Sequence, residues 1–269
     1  MPVKICLAGV AGRMGQRLLA LAREDPELEI RGAFEHPQHP WVGKDLGAVS
    51  NLAGQGVTVG PALDPRCGAD VLVDFTAADA AMSHAEAAFK ARWPAVIGTT
   101  GFNESQKTRL REFSAAIPMI VAPNFSVGVN VLFKAAAMVA KALGPDYEVE
   151  IVEAHHDQKV DAPSGTALGL AEQIAAALGR DLKQQAVYGR RGMTGKRPKN
   201  EIGIHALRMG DLVGEHTAYF AIGGERIELT HRASSRDTFA RGALRAAKWL
   251  VFQRKAPGLY TMAQVLGLE

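Results

Sequence analysis

The chain has 269 residues, 47% of them hydrophobic, enough for one large core or two modest ones, which excludes a disordered chain. Lysine and arginine total 31 against 28 acidic residues; a net charge of +3 is too mild to argue for nucleic acid and is compatible with small anionic ligands. The opening "MPVKICLAGVAG" lacks the features of a secretory signal and no segment is apolar enough to span a bilayer, so a cytoplasmic protein with free thiols at Cys6 and Cys67 is expected.

In chain order, "VKICLAG" predicts a strand, "RMGQRLLALARED" a helix and "LEIRGAF" a second strand. "DVLVDFT", "PAVIGTT" and "PMIVAPN" continue as strands, separated by the helical patterns "AADAAMSHAEAAFKA" and "NESQKTRLREFSAAI". Repeated strand–helix units imply an α/β fold with a parallel sheet covered on both faces. The pattern then changes. An almost continuously apolar helix from about residue 126 to 143 is followed by a strand, "YEVEIVEAHH", and a helix beginning near Gly165. After a basic, glycine-containing loop at residues 187–199 come the strands "IGIHALRMG", "HTAYFAI" and "RIELTHRA", the last two joined by Gly223-Gly224, a good hairpin turn. Hairpin-paired strands belong to a mixed or antiparallel sheet, hence to a second domain, and the final helical pattern, "DTFARGALRAAKWLVFQ", can return to the first. No internal repeat or low-complexity segment is evident.

"CLAGVAGRMG" places Gly9, Gly12 and Gly15 where the first strand turns into a helix, a variant of the dinucleotide fingerprint in which amides at the helix start approach a pyrophosphate. Val10 stands where the usual first glycine would. After the second strand Glu35 lies 20 residues beyond Gly15, the expected place for a carboxylate on the adenine ribose. Two further strand ends, "GTTG" with Gly98, Thr99 and Thr100, and "APNFS" with Ala122, Pro123, Asn124 and Phe125, read either as nicotinamide contacts or as ordinary turns.

"EAHHDQKVDAPSGTA" is the densest cluster of chemistry. On a strand His155 and His156 point to opposite faces, and no Cys or carboxylate follows at zinc-ligand spacing, so no metal site is expected. Ser164 is a good N-cap, and the amides of Gly165 and Thr166 open a helix, which is either a well-capped helix or a cradle for an anion. Beside Lys159 and the titratable His155 it looks like a carboxylate-binding corner next to a proton donor.

Together "GVAGRMG", "VIGTTGF", "APNFSVGVN", "EAHHDQKVDAPSGTA", "GDLVGEHTAYF" and "THRASSRDTFARGA" resemble the bacterial dihydrodipicolinate reductases, also called 4-hydroxy-tetrahydrodipicolinate reductases, over nearly the whole chain. The resemblance implies a Rossmann-like domain from both chain ends, an inserted mixed α/β substrate domain and a homotetramer. The switch from strand–helix alternation to hairpin patterning and back puts the first domain at residues 1–126 and 236–269 and the substrate and tetramerisation domain at 127–235, with a hinge expected to close on both ligands. It implies His155 as proton donor and acceptor and Lys159 as catalytic lysine, with His156, Ser164, Gly165 and Thr166 holding a cyclic dicarboxylate. Gly9, Val10, Ala11, Gly12, Arg13, Met14, Glu35, His36, Gly98, Thr99, Thr100, Ala122, Pro123, Asn124 and Phe125 would line the cofactor. The implied reaction, in lysine and diaminopimelate biosynthesis, is water loss from the hydroxylated ring, hydride transfer from the nicotinamide and protonation of the neighbouring carbon. Many members carry arginine after the acid, able to accept a 2′-phosphate; here the residue is His36, so NADH is expected to be preferred with NADPH still used. Other readings are a different nicotinamide-dependent dehydrogenase of amino-acid metabolism, which would not explain the run from His155 to Thr166, and a sensor that binds NAD(P) without chemistry.

Overall fold

A computed structural model describes residues 1–50, 56–253 and 255–269. The elements begin β1 (Val3–Ala8), α1 (Arg13–Glu24), β2 (Leu28–Phe34), α2 (Leu46–Val49), β3 (Val59–Gly60), β4 (Val71–Asp74) and α3 (Ala78–Ala91). They continue β5 (Ala95–Ile97), α4 (Glu104–Ser114), β6 (Pro118–Val121), α5 (Val127–Leu143), β7 (Glu148–His155), α6 (Gly165–Ala177) and α7 (Leu182–Gln185). The remainder is β8 (Ala186–Tyr188), β9 (Ile202–Arg208), β10 (Gly214–Ile222), β11 (Glu225–Ala233), α8 (Asp237–Phe252), β12 (Gly258–Tyr260) and α9 (Met262–Leu266). The chain divides into two compact units, Met1–Val127 with Arg236–Glu269, and Gly128–Ser235.

In the first unit a seven-stranded sheet runs β12-β6-β5-β4-β1-β2-β3 with parallel neighbours throughout. Its central strands are mostly apolar because helices cover both faces: Val71, Leu72 and Val73 of β4 are buried, as is the acid that closes the strand, Asp74. On one face Val3, Ile5 and Leu7 pack with Leu18 and Leu19 of α1 and with Ala243, Leu244 and Ala247 of α8. On the other, Cys6, Ala8 and Leu72 meet Ala81, Ala85 and Ala88 of α3 and Leu110 and Phe113 of α4. Each fully buried Leu or Phe contributes about 1.5–3 kcal/mol. The chain moves outward from β1 through β2 to β3, then restarts on the other side at β4, so the strand order reverses between β1 and β4. In a sheet of this kind ligands bind at that reversal, beyond the carboxyl ends of the strands. Cys6 and Cys67 are free thiols that converge over Gly32, whose Cβ would lie 2.8 Å from each sulfur.

The second unit is a five-stranded mixed sheet, β11-β10-β7-β9-β8. β10 runs antiparallel to β7 and β11, while β7, β9 and β8 are mutually parallel. Gly223 and Gly224 form the β10–β11 turn, Gly224 at φ +97°. α5 and α6 cover one face, burying Leu132, Ala136, Leu170, Ala171 and Ile174 against Val149, Ile151, Ile202, Ile204, Ala218 and Phe220. One expectation needs correction: Val187 and Tyr188, assigned from sequence to the basic loop, lie in edge strand β8 paired with β9, because their backbone groups find partners along Gly203 and Ile204. β3, β12, α2, α7 and α9 are too short to show a period in the sequence. Among the described residues no helix is long and apolar enough to cross a membrane.

Candidate active site

The first unit gathers the glycine loop and three other strand ends at the carboxyl edge of its sheet. Gly9 leaves β1 at φ +62°, a conformation that favours glycine, and its carbonyl accepts the Gly12 amide at 3.0 Å. Gly12 is the N-cap of α1 and offers no side-chain cap, so the helix's first amides are left for something else to satisfy. Gly15 must be glycine for packing: a Cβ there would lie 2.1 Å from the Gly9 carbonyl oxygen and 2.7 Å from Val10 Cα. Val10 is fully buried, Arg13 exposed and Met14 half-buried at the start of the helix. Glu35, at the end of β2, turns one carboxylate oxygen onto the Ala11 amide at 2.7 Å and the other onto the His36 amide at 3.1 Å, so the acid braces the loop; His36 is exposed.

At the ends of β5 and β6, the Gly98 amide donates to the Asp74 carbonyl at 2.8 Å and the Ala122 amide to the Ile97 carbonyl at 3.1 Å. Gly98 presses on the Phe75 ring, where a Cβ would lie 2.1 Å away. Thr99 is buried and donates to the Thr76 carbonyl at 3.0 Å, while Thr100 and Pro123 are exposed. Asn124 accepts the Ser126 amide at 2.8 Å, and buried Phe125 lies 5.5 Å from Phe75, ring centre to ring centre. Beneath these loops sits a carboxylate that sequence reasoning overlooked. Asp74, fully buried, accepts the Thr76 amide at 2.7 Å, the Thr76 hydroxyl at 2.8 Å and His84 Nδ1 at 2.6 Å. Its signal was available: an acid closing the otherwise apolar strand "VLVD" must be satisfied by its surroundings. The loop over the strand reversal, with glycine at positions 9, 12 and 15 and uncapped amides at the start of α1, fits a dinucleotide's pyrophosphate.

In the second unit Val149, Ile151, Glu153 and His155 alternate onto the same buried face of β7. The first two join the apolar core, while Glu153 and His155 continue that face as a polar cluster. Glu153 is completely buried, and four donors converge on it. Oε2 takes His155 Nδ1 at 2.6 Å and Arg208 Nη1 at 2.8 Å; Oε1 takes the Ser164 amide and Arg208 Nη2, each at 2.9 Å. Burial pushes this carboxyl up, but the bonds from His155, Arg208 and Ser164 outweigh it and bring it to about 2, so it is an anion. Arg208 also donates to the Asp161 carbonyl at 2.7 Å, and Asp161 holds the Lys159 ammonium at 2.8 Å.

Ser164 caps α6 by accepting the Ala167 amide at 3.1 Å, and its hydroxyl lies 3.0 Å from His216 Nε2. Gly165 is exposed and Thr166 half-buried in the first turn of that helix. His156 follows the end of β7, half-buried, its amide donating to the Leu212 carbonyl at 2.8 Å. Structure thus links His155, Ser164 and Lys159 through Glu153, Arg208 and Asp161. Glu153 shares its parity with Val149 and Ile151 and was legible as an inward-facing acid; Arg208 and His216 reach it only through strand register, which the sequence does not display. Among the described residues no group of three or more His, Cys, Asp or Glu residues is placed to hold a metal ion.

A doubly wound parallel sheet with this loop defines a dinucleotide-binding protein, and the unit joined to it in the same chain bears a buried carboxylate–imidazole pair able to handle a proton. Residues 3–125 match the family model described as dihydrodipicolinate reductase, N-terminus, and residues 128–266 the one described as dihydrodipicolinate reductase, C-terminus. The chain belongs to the dihydrodipicolinate reductase family. It is 51% identical to the 4-hydroxy-tetrahydrodipicolinate reductase of Thiobacillus denitrificans over 100% of both chains. Identity to that of Syntrophus aciditrophicus is 49% over 99% of both. A solved structure of dipicolinate-bound dihydrodipicolinate reductase from Paenisporosarcina sp. TG-14 superimposes with a TM-score of 0.75 at 27% identity, covering 98% of this chain and 99% of that one.

Proposed function

We propose that the protein reduces 4-hydroxy-tetrahydrodipicolinate to tetrahydrodipicolinate with loss of water, in lysine and diaminopimelate biosynthesis. The observation that carries this reading is the Glu153–His155 pair, buried beside the N-terminus of α6 in a chain whose relatives bear this enzyme's name along their full length. The first unit is the dinucleotide-binding domain, and the reduced dinucleotide supplies the hydride when bound. Gly9 to Met14 cradle its pyrophosphate, Glu35 and His36 meet the adenine ribose, and the loops at Gly98–Thr100 and Ala122–Phe125 contact the nicotinamide. The second unit holds the substrate and builds a homotetramer in the cytoplasm.

A cyclic dicarboxylate needs several donors, each charge-assisted bond worth about 1.5–3 kcal/mol. Amides of Gly165 and Thr166 at the positive end of α6 serve one carboxylate; His156 and Lys159 supply further donors. Ser164 acts chiefly by capping that helix, since its hydroxyl and amide already serve Ala167, His216 and Glu153. His155 delivers a proton to the ring carbon beside the one that receives the hydride, which balances the reaction: one reduced dinucleotide and one proton consumed, one water released. NADH is preferred and NADPH still used.

The test is a coupled assay in which a dihydrodipicolinate synthase generates substrate from pyruvate and aspartate semialdehyde while the absorbance of the reduced cofactor is followed. Oxidation only when fresh substrate forms is the expected result. Dinucleotide binding with no turnover would replace this reading with that of a sensor.

A further inference from the structure

Glu153 does more than neutralise Arg208. We infer that Glu153, locked in place by Arg208 and the Ser164 amide, is the positioning residue that fixes the tautomer of His155 and leaves Nε2 as the ring atom that exchanges the substrate's proton. This rests on the reading of His155 as the proton donor, and deepens it.

The argument is one of donor and acceptor arithmetic. A carboxylate can only accept, and both oxygens of Glu153 are each shared by two donors. Three of the four donors, two guanidinium nitrogens and a backbone amide, cannot reverse their role. The fourth, His155 Nδ1, therefore carries its hydrogen whenever the ring is neutral. The second nitrogen is then a bare acceptor that gains a proton when the ring is charged and loses it when the ring acts as an acid. Strand pairing clears the way to it. Gly214 stands beside His155 at the start of β10, and any larger residue would put its Cβ 3.0 Å from Nε2. Among the described residues Nε2 has no hydrogen-bond partner. The Ser164 amide ties the same carboxylate to the cap of α6, so one buried anion sets both the ring and the start of the helix proposed to hold the substrate.

Two measurements test this. The first is read on wild-type protein labelled with ¹⁵N-histidine: long-range proton–nitrogen correlations, followed upward in pH until the ring is neutral, report the tautomer of His155, its signal assigned by its loss in His155→Gln. A pyrrole-type Nδ1 and a pyridine-type Nε2 are expected; the reverse would overturn the inference. The second is Glu153→Gln. Its single oxygen must stay with the Ser164 amide, its NH₂ faces Nδ1, and the tautomer inverts. By analogy with other carboxylate–histidine pairs, kcat should fall roughly 10²- to 10⁴-fold while KM for the reduced dinucleotide stays within about twofold. A folded Glu153→Gln with near-native kcat would overturn the inference; if the variant does not fold, the wild-type spectrum decides alone. If wild type fails to oxidise cofactor in the coupled assay, the reading of the reaction fails while the tautomer result still stands.

Discussion

Glu153 on β7 and His216 on β10 are register partners, and Ser164 joins them, its amide on the carboxylate at 2.9 Å and its hydroxyl at 3.0 Å from His216 Nε2. Because that hydroxyl already accepts the Ala167 amide, its own hydrogen goes to His216, which is held neutral: burial, then the neighbouring His155, pushes the imidazole from 6.5 down to about 3. A neutral His216 stabilises the fold fully above about pH 6.5, and the stability is lost as pH falls toward about 3, because the unfolded chain binds the proton first. Between about pH 8 and 5 this group alone should cost roughly 2 kcal/mol. The Glu153 carboxylate adds a second loss below its ordinary 4.5, continuing toward about 2. Urea midpoints measured across this range should fall with pH, and His216→Gln should flatten the upper part of the slope. A midpoint unchanged from about pH 8 to 5 would contradict the buried neutral state.

The roles proposed for His155 and Lys159 can be separated kinetically. His155→Ala should mainly lower kcat, by roughly 10²- to 10⁴-fold for a lost general acid. Lys159→Ala should impair both turnover and substrate KM, since it removes a cation near a dianion. Binding of the reduced dinucleotide, followed by its fluorescence, should survive both. Near-native turnover in either variant would remove that residue from its assigned role.

The proposed preference for NADH rests on Glu35 and its exposed neighbour. Glu35 can accept a ribose hydroxyl but repels a 2′-phosphate, and His36 lacks the permanent, forked guanidinium with which an arginine would hold that phosphate. The ratio of kcat/KM for NADPH to that for NADH should lie below one, and His36→Arg should raise it. An NADPH preference at about pH 8, or a ratio indifferent to the substitution, would assign selectivity to other residues.

Gly15→Ala tests the loop. With its Cβ forced to within 2.1 Å of the Gly9 carbonyl oxygen, either the loop or the helix must shift. The variant should lose about 1–3 kcal/mol or more of stability, and its affinity for NADH should drop disproportionately compared with Gly144→Ala. Gly144 is also a backbone-restricted glycine, at φ +76°, but lies outside this loop. Equal NADH affinity in the two variants would argue that the loop does not touch the nucleotide.

What the sequence determined by itself is whatever rests on neighbours along the chain. Strand–helix alternation implied the parallel sheet, because burial on both faces demands continuous apolar runs. Glycines at three-residue spacing marked the loop, and Ser164 marked a helix start, because backbone sterics and capping are local. Only the tertiary structure decided which groups satisfy the buried charges. Arg208 is 55 residues from Glu153 and reaches it because β9 lies parallel beside β7. His84 finds Asp74 because α3 packs over β4, and β12 takes its place at the sheet edge through pairing with β6. A buried carboxylate must be paired wherever the chain can supply donors, and which donors those are depends on register and packing, a property of the folded chain rather than of any window of its sequence.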